Sequence, residues 1–265
     1  IGDFNTLNSP LPNDFVTSMF ITRENIIWIG TLRGLITYDI ENNQWGKKTT
    51  TADGLWYNTI TEIYQDSDKN IWIATQEGLN KYYPPTQEYL KIYPSDGLVH
   101  YKITDIIEDD HGSVWFSSYK GISIYSLEKK DFAQFIENGK SDLELSDNFI
   151  WCLMKDNGGN IWIGTANGLN MYDYKSKEII WYFEKDGLSS NVITSLQLDL
   201  NNNIWILTPS GVSVYDLDEK NFELYNQFDG LSVNYKAVHL DRRGNLYFGG
   251  QNAGFYVLIV VVPPP

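Results

Sequence analysis

Residues 156–173 read DNGGNIWIGTANGLNMYD, and the middle of this phrase recurs along the whole chain. Each of six copies carries an aromatic residue among apolar neighbours, and successive aromatic residues lie 44, 43, 47, 43 and 42 positions apart. These aromatic anchors are Trp28, Trp72, Trp115, Trp162, Trp205 and Tyr247. A period in the forties is typical of repeat proteins whose units bury one face against their neighbours. We therefore expect the anchors to be structural, as wedges between adjacent sheets.

One repeat divides into four short segments of strand-like sequence. Residues 60–64, 71–75, 79–83 and 89–93 are rich in apolar and aromatic side chains, and Asp, Asn, Gly and Pro separate them. Such punctuation is typical of strands joined by hairpin turns. Four strands in a unit of about 40 to 50 residues make one propeller blade. The chain is therefore predicted to be an all-β propeller of four-stranded antiparallel blades.

The repeats predict a single β-propeller domain over residues 1–265, with six blades. The repeats fall at about residues 13–55, 56–98, 99–145, 146–188, 189–231 and 232–260. The last repeat shows three clear strands, and residues 1–12 resemble a fourth, so we expect the N-terminal strand to complete the last blade and close the ring. The alternative is part of a seven-bladed ring, because the chain begins in mid-repeat and without Met.

Two glycine patterns accompany the repeat. A glycine follows the anchor by six residues in five copies and by seven in the last: Gly34, Gly78, Gly121, Gly168, Gly211 and Gly254. Four Asp-Gly-Leu triplets, which begin at Asp53, Asp96, Asp186 and Asp229, stand where one repeat leads into the next. We expect these glycines to allow positive φ or close backbone approach, and the leucines to pack the connection down.

Charge and composition argue against several classes of function. A net charge of −14 with no basic cluster repels phosphate backbones and excludes a nucleic-acid partner. The longest apolar run, residues 255–262, is too short to cross a bilayer, so no membrane insertion is predicted. Cys152 is expected to be a buried thiol, and the three histidines are scattered over different repeats. This distribution argues against a Cys–His nucleophile.

Asp-rich segments precede five of the anchors and need a separate interpretation. Asp66, Asp68 and Asn70 have the alternate spacing of calcium ligands, but the downstream bidentate Glu and its helix are missing. All five segments fall between the first and second predicted strands of a repeat. Hairpin turns explain them together. Neither a metal site nor a cofactor is predicted.

The connections between blades and the turns between second and third strands gather on one face of a propeller. Aromatic, amide and cationic side chains in these segments could stack on sugar rings and bind their hydroxyl or acidic groups. The predicted ligand-binding residues are Arg33, Trp56, Tyr57, His100, Tyr101, Tyr119, Lys120, Asn167, Asn191 and Tyr235. The alternative is that exposed aromatics cap the channel or contact another protein.

The phrase at residues 156–173, with partial copies at residues 66–82 and 199–216, resembles the two-component regulator propeller repeat. That repeat is characteristic of the periplasmic sensor region of hybrid two-component histidine kinases, which detect complex glycans. The resemblance implies a periplasmic or extracellular location. Members of the family commonly carry two seven-bladed rings, an immunoglobulin-like domain, a membrane helix and a kinase. With only six repeats, this chain is expected to be a fragment or a detached ectodomain.

Three functional hypotheses follow. The first, which rests on the resemblance, is a non-catalytic sensor that binds an oligosaccharide, a neighbouring sensor domain or a second protomer. The second is an enzyme similar to streptogramin-type lyases, which residues 112–116 resemble, with His100 as the one histidine on the predicted binding face. The third is a scaffold for protein assembly.

Overall fold

A computed structural model of the protein describes residues 5–136, 143–225, 237–250 and 254–259. Within these ranges the strands form five four-stranded sheets and one three-stranded sheet, all of them antiparallel where the pairing is given. The chain divides into two compact units, Ile1–Phe135 and Ile136–Pro265. The prediction of an all-β propeller with four-stranded antiparallel blades is therefore confirmed.

Unit 1 contains three sheets, and neighbouring strands in each sheet are consecutive in the chain. Sheet 1 consists of β1 (Val16–Ile21), β2 (Ile26–Thr31), β3 (Gly34–Asp39) and β4 (Gln44–Trp45). Sheet 2 consists of β5 (Ile60–Gln65), β6 (Ile71–Thr75), β7 (Gly78–Tyr83) and β8 (Glu88–Ile92). Sheet 3 consists of β9 (Ile103–Glu108), β10 (Ser113–Ser118), β11 (Gly121–Ser126) and β12 (Asp131–Ile136). The four strands predicted for the second repeat are confirmed within one residue at each end.

Unit 2 contains the other three sheets. Sheet 4 consists of β13 (Ile150–Lys155), β14 (Ile161–Thr165), β15 (Gly168–Asp173) and β16 (Glu178–Tyr182). Sheet 5 consists of β17 (Ser195–Leu198), β18 (Asn203–Thr208), β19 (Gly211–Asp216) and β20 (Asn221–Tyr225). Sheet 6 consists of β21 (Ala237–Leu240), β22 (Asn245–Gly250) and β23 (Gly254–Ile259).

The fourth strand of the last blade was expected from residues 1–12. Residues 5–12 contain turns and no strand, and residues 1–4 lie outside the described part of the chain. Completion of the blade by the N-terminus, the closed six-bladed ring and the seven-bladed alternative all stay predictions.

The Asp-rich segments are the turns between first and second strands, as predicted, and each aspartate has a second role that the sequence did not reveal. Asp66 accepts hydrogen bonds from the backbone N–H of Asn70 at 2.8 Å and from the indole N–H of Trp72 at 2.9 Å. The same aspartate–indole bond, at 2.8–2.9 Å, recurs at three further anchors: Asp109–Trp115, Asp156–Trp162 and Asp199–Trp205. A charged acceptor thus satisfies a buried indole donor in four sheets.

Four of the tryptophan anchors contact an aromatic ring of the next sheet in the same unit. The Trp72 ring is 5.1 Å from the Tyr125 ring of the next sheet, and the Trp162 ring is 5.4 Å from the Tyr215 ring. The five Trp anchors are at most 8% exposed. Tyr247 is half-buried, and its hydroxyl donates to Asp241. Aromatic pairs of this kind add to the stability that burial of their area supplies.

The glycine patterns have the predicted physical causes. Gly34 has a φ of 121°, which favours glycine, whereas Gly78 is needed for space, because a Cβ there would lie 1.8 Å from the indole of Trp56. The Asp-Gly-Leu connections at Asp53, Asp96 and Asp186 form short 3-10 turns in which the glycine has positive φ. Their leucines, Leu55, Leu98 and Leu188, are at most 4% exposed. The fourth triplet, at Asp229, lies outside the described residues.

Candidate functional site

The Asp-Gly-Leu connections of unit 1 hold two groups of predicted site residues in place. After Leu55, the backbone N–H of Trp56 donates to the Asn80 side chain at 2.7 Å. After Leu98, the backbone N–H of Val99 donates to the Ser123 hydroxyl at 2.7 Å. Each connection is thereby bonded to the third strand of the sheet that follows it. These bonds therefore fix the backbone from which the next side chains in sequence project.

His100, Tyr101, Lys102, Tyr119 and Lys120 form an aromatic–cationic cluster in unit 1. The His100 ring stacks on Tyr101 with a centroid distance of 4.4 Å and lies nearly parallel to the Tyr119 ring at 6.4 Å. The Lys102 ammonium lies 5.7 Å from the centroid of the Tyr119 ring. Tyr119 and Lys120 are exposed. The cluster presents flat rings and two positive charges to solvent.

The electrostatics of the cluster keep His100 neutral at neutral pH. Partial burial and the positive charges of Lys120 and Lys102 hold the pKa of His100 below its usual value. Its Nδ1 accepts a hydrogen bond from the backbone N–H of Lys102 at 3.2 Å, so the proton of the neutral ring is on Nε2. The side chain can therefore donate one hydrogen bond to a ligand.

A cavity of about 530 Å³ lies beside the cluster and is lined by residues of all three sheets of unit 1. Lys102 and Tyr119 belong to its wall, together with the hydroxyl side chains of Thr17, Thr59 and Thr61. Its volume falls within the range of small-molecule pockets. Hydroxyl groups, an aromatic ring and an ammonium group suit a polar ligand with several oxygen atoms.

A second charged feature lies on the inner strand of sheet 2, next to the cavity wall. Glu62 follows Thr61 and accepts hydrogen bonds from the Ser18 hydroxyl at 3.1 Å and from the Ile63 backbone N–H at 3.0 Å. Burial, and then the negative charge of Asp105, raise the pKa of Glu62 to about 7. This carboxyl group therefore changes its charge close to neutral pH.

The other predicted site residues of unit 1 lie outside the aromatic–cationic cluster. Trp56 donates its indole N–H to the Glu77 carbonyl and packs edge-on against Tyr93 at 4.6 Å. Because Trp56 fills the space above Gly78, its role is at least partly structural. Tyr57 and Arg33 are exposed.

Unit 2 contributes two described members of the predicted set. Asn167 is exposed in the turn after β14, where its backbone N–H donates to the Thr165 hydroxyl at 3.1 Å. Asn191 uses its amide oxygen to accept from the Glu184 backbone N–H at 2.8 Å and its carbonyl to accept from the Gly168 N–H at 2.6 Å. Asn191 thus supports the local turn. Tyr235 lies outside the described residues.

Sequence reasoning missed Lys102 and the Glu62–Asp105 pair. The signal for Lys102 was its place directly after His100 and Tyr101, in the same connection. Glu62 and Asp105 both stand ten residues before a tryptophan anchor, which is the position that places them on adjacent inner strands. Their proximity depends on how the sheets pack, so the sequence offered only this shared spacing as a signal.

Three further features bear on function: the single thiol, groups that could bind a metal, and helices that could cross a membrane. Cys152 is buried, as predicted. In the part of the chain that the structure describes, no three His, Cys, Asp or Glu side chains are arranged to hold a metal ion. No helix in those residues is both long enough and apolar enough to cross a membrane.

Comparison with known sequences identifies the repeats. Three segments, residues 10–33, 54–77 and 144–167, match the two component regulator propeller family. A protein named histidine kinase P4 from Formosa agariphila is 35% identical over 104 residues, a region that covers 30% of this chain and 8% of that protein. The chain therefore spans a small part of the length of this relative.

Comparison with solved structures supports the propeller fold. The chain resembles the extracellular domain assigned to hybrid two component system BT3049 from B. thetaiotaomicron, with a TM-score of 0.55 and 22% identity, over 93% of this chain and 40% of that one. It also resembles virginiamycin B lyase from Staphylococcus aureus, with a TM-score of 0.67 and 9% identity, over 94% and 85% of the two chains. PorZ from Porphyromonas gingivalis gives a TM-score of 0.69 and 14% identity, over 91% and 38%. At these identities the likeness concerns the fold alone.

Proposed function

We propose that this chain, which is built of two component regulator propeller repeats, is an extracytoplasmic sensor region that binds a carbohydrate without converting it. The observation that carries the ligand class is the aromatic–cationic cluster beside a cavity lined with hydroxyl groups. The extracytoplasmic location is supported by the repeat family and by the fold shared with the extracellular domain of system BT3049.

The chemistry of the cluster favours a sugar with an acidic group. The flat faces of Tyr101 and Tyr119 suit a pyranose ring, and His100 Nε2 can donate to a hydroxyl group. Lys102 and Lys120 supply two positive charges on a protein whose net charge is −14. A carboxylate on the ligand would therefore be attracted to this cluster and repelled by most of the remaining surface.

The proposal also covers how ligand binding is transmitted as a signal. A ligand changes the population of conformations only through different affinities for them, so a sensor must couple the site to neighbouring domains. Neighbouring sensor domains or a second protomer are the partners we propose for this coupling. No chemical step is required of His100, which serves as a donor.

The test is a thermal-unfolding titration with oligogalacturonate and with a neutral oligosaccharide of the same length. We expect oligogalacturonate to raise the melting temperature, and Lys120→Met to reduce the apparent affinity about tenfold through loss of one charged contact. Lys175→Met is the matched control, because Lys175 is an exposed lysine on a turn of unit 2. The control should bind like the unmodified chain.

Three results would contradict the proposal. Binding that Lys120→Met and Lys175→Met weaken equally would show general attraction rather than a site. Breakdown of the oligosaccharide or of a cyclic lactone, abolished by His100→Ala, would make the protein an enzyme of the lyase kind. Failure of both oligosaccharides to change the melting temperature, together with tight capture of a purified partner domain, would favour the scaffold.

A further inference from the structure

A second cavity of unit 1, with a volume of about 830 Å³, lies between sheets 1 and 2. It is lined by the turns that join β1 to β2, β5 to β6 and β7 to β8. The aromatic–cationic cluster belongs to turns at the other ends of the strands. We call this space the Trp28 cavity, because the first tryptophan anchor forms part of its wall.

The first cause of the cavity is a missing carboxylate. In sheets 2 to 5 an aspartate six residues before the anchor accepts the indole N–H, but Thr22 stands at this position before Trp28. The Thr22 hydroxyl instead accepts from the backbone N–H of Ile26 at 3.3 Å. Among the described residues no acceptor is bonded to Trp28 Nε1, and no fully buried polar side-chain atom there lacks a partner. The Trp28 N–H is therefore open to the cavity.

The second cause is a small residue opposite the anchor. Thr37 on β3 pairs directly with Trp28, whereas the anchors of sheets 2 to 4 face larger side chains. Those cross-strand partners are Lys81, Ile124 and Met171. In sheet 5 the partner of Trp205 is Val214, which has the branched shape of threonine but carries no hydroxyl group. A side chain directly across a strand pair covers its partner, and Thr37 covers less of the indole than Lys81, Ile124 or Met171 would.

The outer strand of sheet 1 provides the third cause. β4 has only two residues, and its ladder with β3 ends at the pair Tyr38–Trp45. Gly46 follows, and it lies so close to Thr37 that a Cβ would be 2.0 Å from the threonine hydroxyl. Neither β4 nor Gly46 contributes a residue to the cavity wall.

The cavity combines aromatic surface with hydrogen-bonding groups. The Trp28 and Tyr82 rings lie 5.4 Å apart, and the Tyr82 and Tyr89 rings lie 4.6 Å apart. Across from them, Glu24 accepts from the Gln65 amide at 2.9 Å and pairs with Lys69 at 3.0 Å. These contacts hold the pKa of Glu24 at about 2, so it remains a charged acceptor.

The charge of the lining selects against anions. Four carboxylates and two lysines line the cavity: Glu24, Asp53, Asp68, Glu88, Lys47 and Lys69. Both lysines are paired with carboxylates, Lys47 with Asp53 at 2.6 Å and Lys69 with Glu24. An acidic ligand would meet net negative charge and no unpaired cation in this lining. An uncharged ligand rich in hydroxyl groups meets both donors and acceptors.

We propose that the Trp28 cavity is a second binding site, specific for a neutral saccharide, in which a sugar ring packs on Trp28, Tyr82 and Tyr89. The Trp28 indole N–H and the Gln65–Glu24 pair bind its hydroxyl groups. This site extends the proposed function to an uncharged ligand class. It does not depend on the aromatic–cationic cluster.

The experiment follows the indole N–H signals in ¹H–¹⁵N spectra of the whole chain, which has nine tryptophans. Trp28→Phe assigns the Trp28 signal. Glucose, galactose, mannose, xylose and cellobiose are the probes, and we expect at least one of them to shift the Trp28 signal in a saturable way. Oligogalacturonate is expected to leave this signal unchanged.

Two variants restore what the other repeats contain. Thr37→Met places the side chain of the fourth repeat opposite Trp28, and Thr22→Asp supplies the missing acceptor. Each should weaken saccharide binding at least about tenfold, the equivalent of one lost hydrogen bond or more. Neither should unfold the chain, which the dispersion of the other indole signals reports. Ser176→Met, on an exposed turn of unit 2, is the control for an added methionine.

The proposal is overturned if none of the five sugars shifts the Trp28 signal saturably. It is also overturned if a folded Thr37→Met variant binds the sugar with unchanged affinity. Because the Trp28 signal reports on this cavity, and the Lys120→Met melting experiment on the aromatic–cationic cluster, each proposal can fail while the other stands.

Discussion

The two inter-sheet interfaces of unit 1 have the same repeat phrase and opposite packing. Between sheets 1 and 2, Trp28 faces Thr37 across its strand pair, and a cavity of about 830 Å³ remains. Between sheets 2 and 3, Trp72 faces Lys81, and both side chains are buried. The two interfaces therefore differ at two positions of the repeat, six residues before and nine residues after the anchor.

The filled interface depends on a buried lysine. The Lys81 ammonium lies 4.6 Å from the Trp72 ring and 4.7 Å from the Tyr125 ring, and 3.8 Å from Asp66 Oδ2. Burial lowers the pKa of Lys81, while the charge of Asp66 opposes this shift. The aromatic faces and the carboxylate together replace the water that the ammonium group loses. The interface is closed by polar contacts as well as by apolar ones.

The largest effect is expected for Asp66→Ala. This change leaves the Trp72 indole N–H without its acceptor and Lys81 buried without its carboxylate, at a cost of about 3–5 kcal/mol in the free energy of unfolding. Thr22→Ala, the same position in the open interface, should cost less than about 1 kcal/mol. Urea unfolding of both variants measures the difference. Equal losses would mean that the two interfaces depend on this position alike.

A second pair of variants changes the filled interface so that it resembles the open one. Lys81→Thr places the residue of sheet 1 opposite Trp72 and should cost about 2–4 kcal/mol, because it removes most of a buried side chain. Lys81→Met should cost less than about 1 kcal/mol. Met171 occupies the same position in sheet 4, where Asp156 accepts the Trp162 indole N–H and the residue opposite the indole carries no charge. Denaturant midpoints of the two variants give the comparison. Both variants remove the ammonium group, so losses of equal size would show that charge, and not volume, closes the interface.

The last comparison concerns pH at Glu62, which lies on β5 between the Ser18 hydroxyl and Asp105. Its pKa is raised from 4.5 to about 7, so the folded protein binds this proton more tightly than the unfolded chain. The resulting stability is present below pH 4.5 and is lost as pH rises to about 7, by about 3 kcal/mol. Glu62→Gln should remove this fall.

Unfolding free energies of the unmodified chain and Glu62→Gln, measured from pH 5 to pH 8 at constant ionic strength, test the assignment. The difference between the two proteins is expected to grow in favour of Glu62→Gln as pH rises. A difference that does not vary over this range would refute a raised pKa at Glu62.

The fold could be predicted from local signals. Residues 60–64 and 71–75 are strands because apolar side chains alternate or run between turn residues, and the Asp-Gly-Leu connections are turns because glycine accepts positive φ. For the candidate site, the sequence predicted which segments contribute residues but not which of those residues come together. His100, Tyr101, Tyr119 and Lys120 do come together in unit 1, whereas Asn191 is engaged in holding a turn. The difference depends on contacts between residues distant in sequence.

The amino-acid sequence by itself determined the number of repeats, the order of strands within each and the burial of the tryptophan anchors, because these depend on periodicity and turn chemistry within about 40 residues. Only the tertiary structure decided that Asp66 accepts the Trp72 indole, that Lys81 closes one interface and that Thr22 and Thr37 leave another open. The physical reason is that packing between sheets is set by the volume and hydrogen-bonding of facing side chains. The spacing of a repeat specifies which residues face each other, but the space that remains between them depends on the neighbouring sheet.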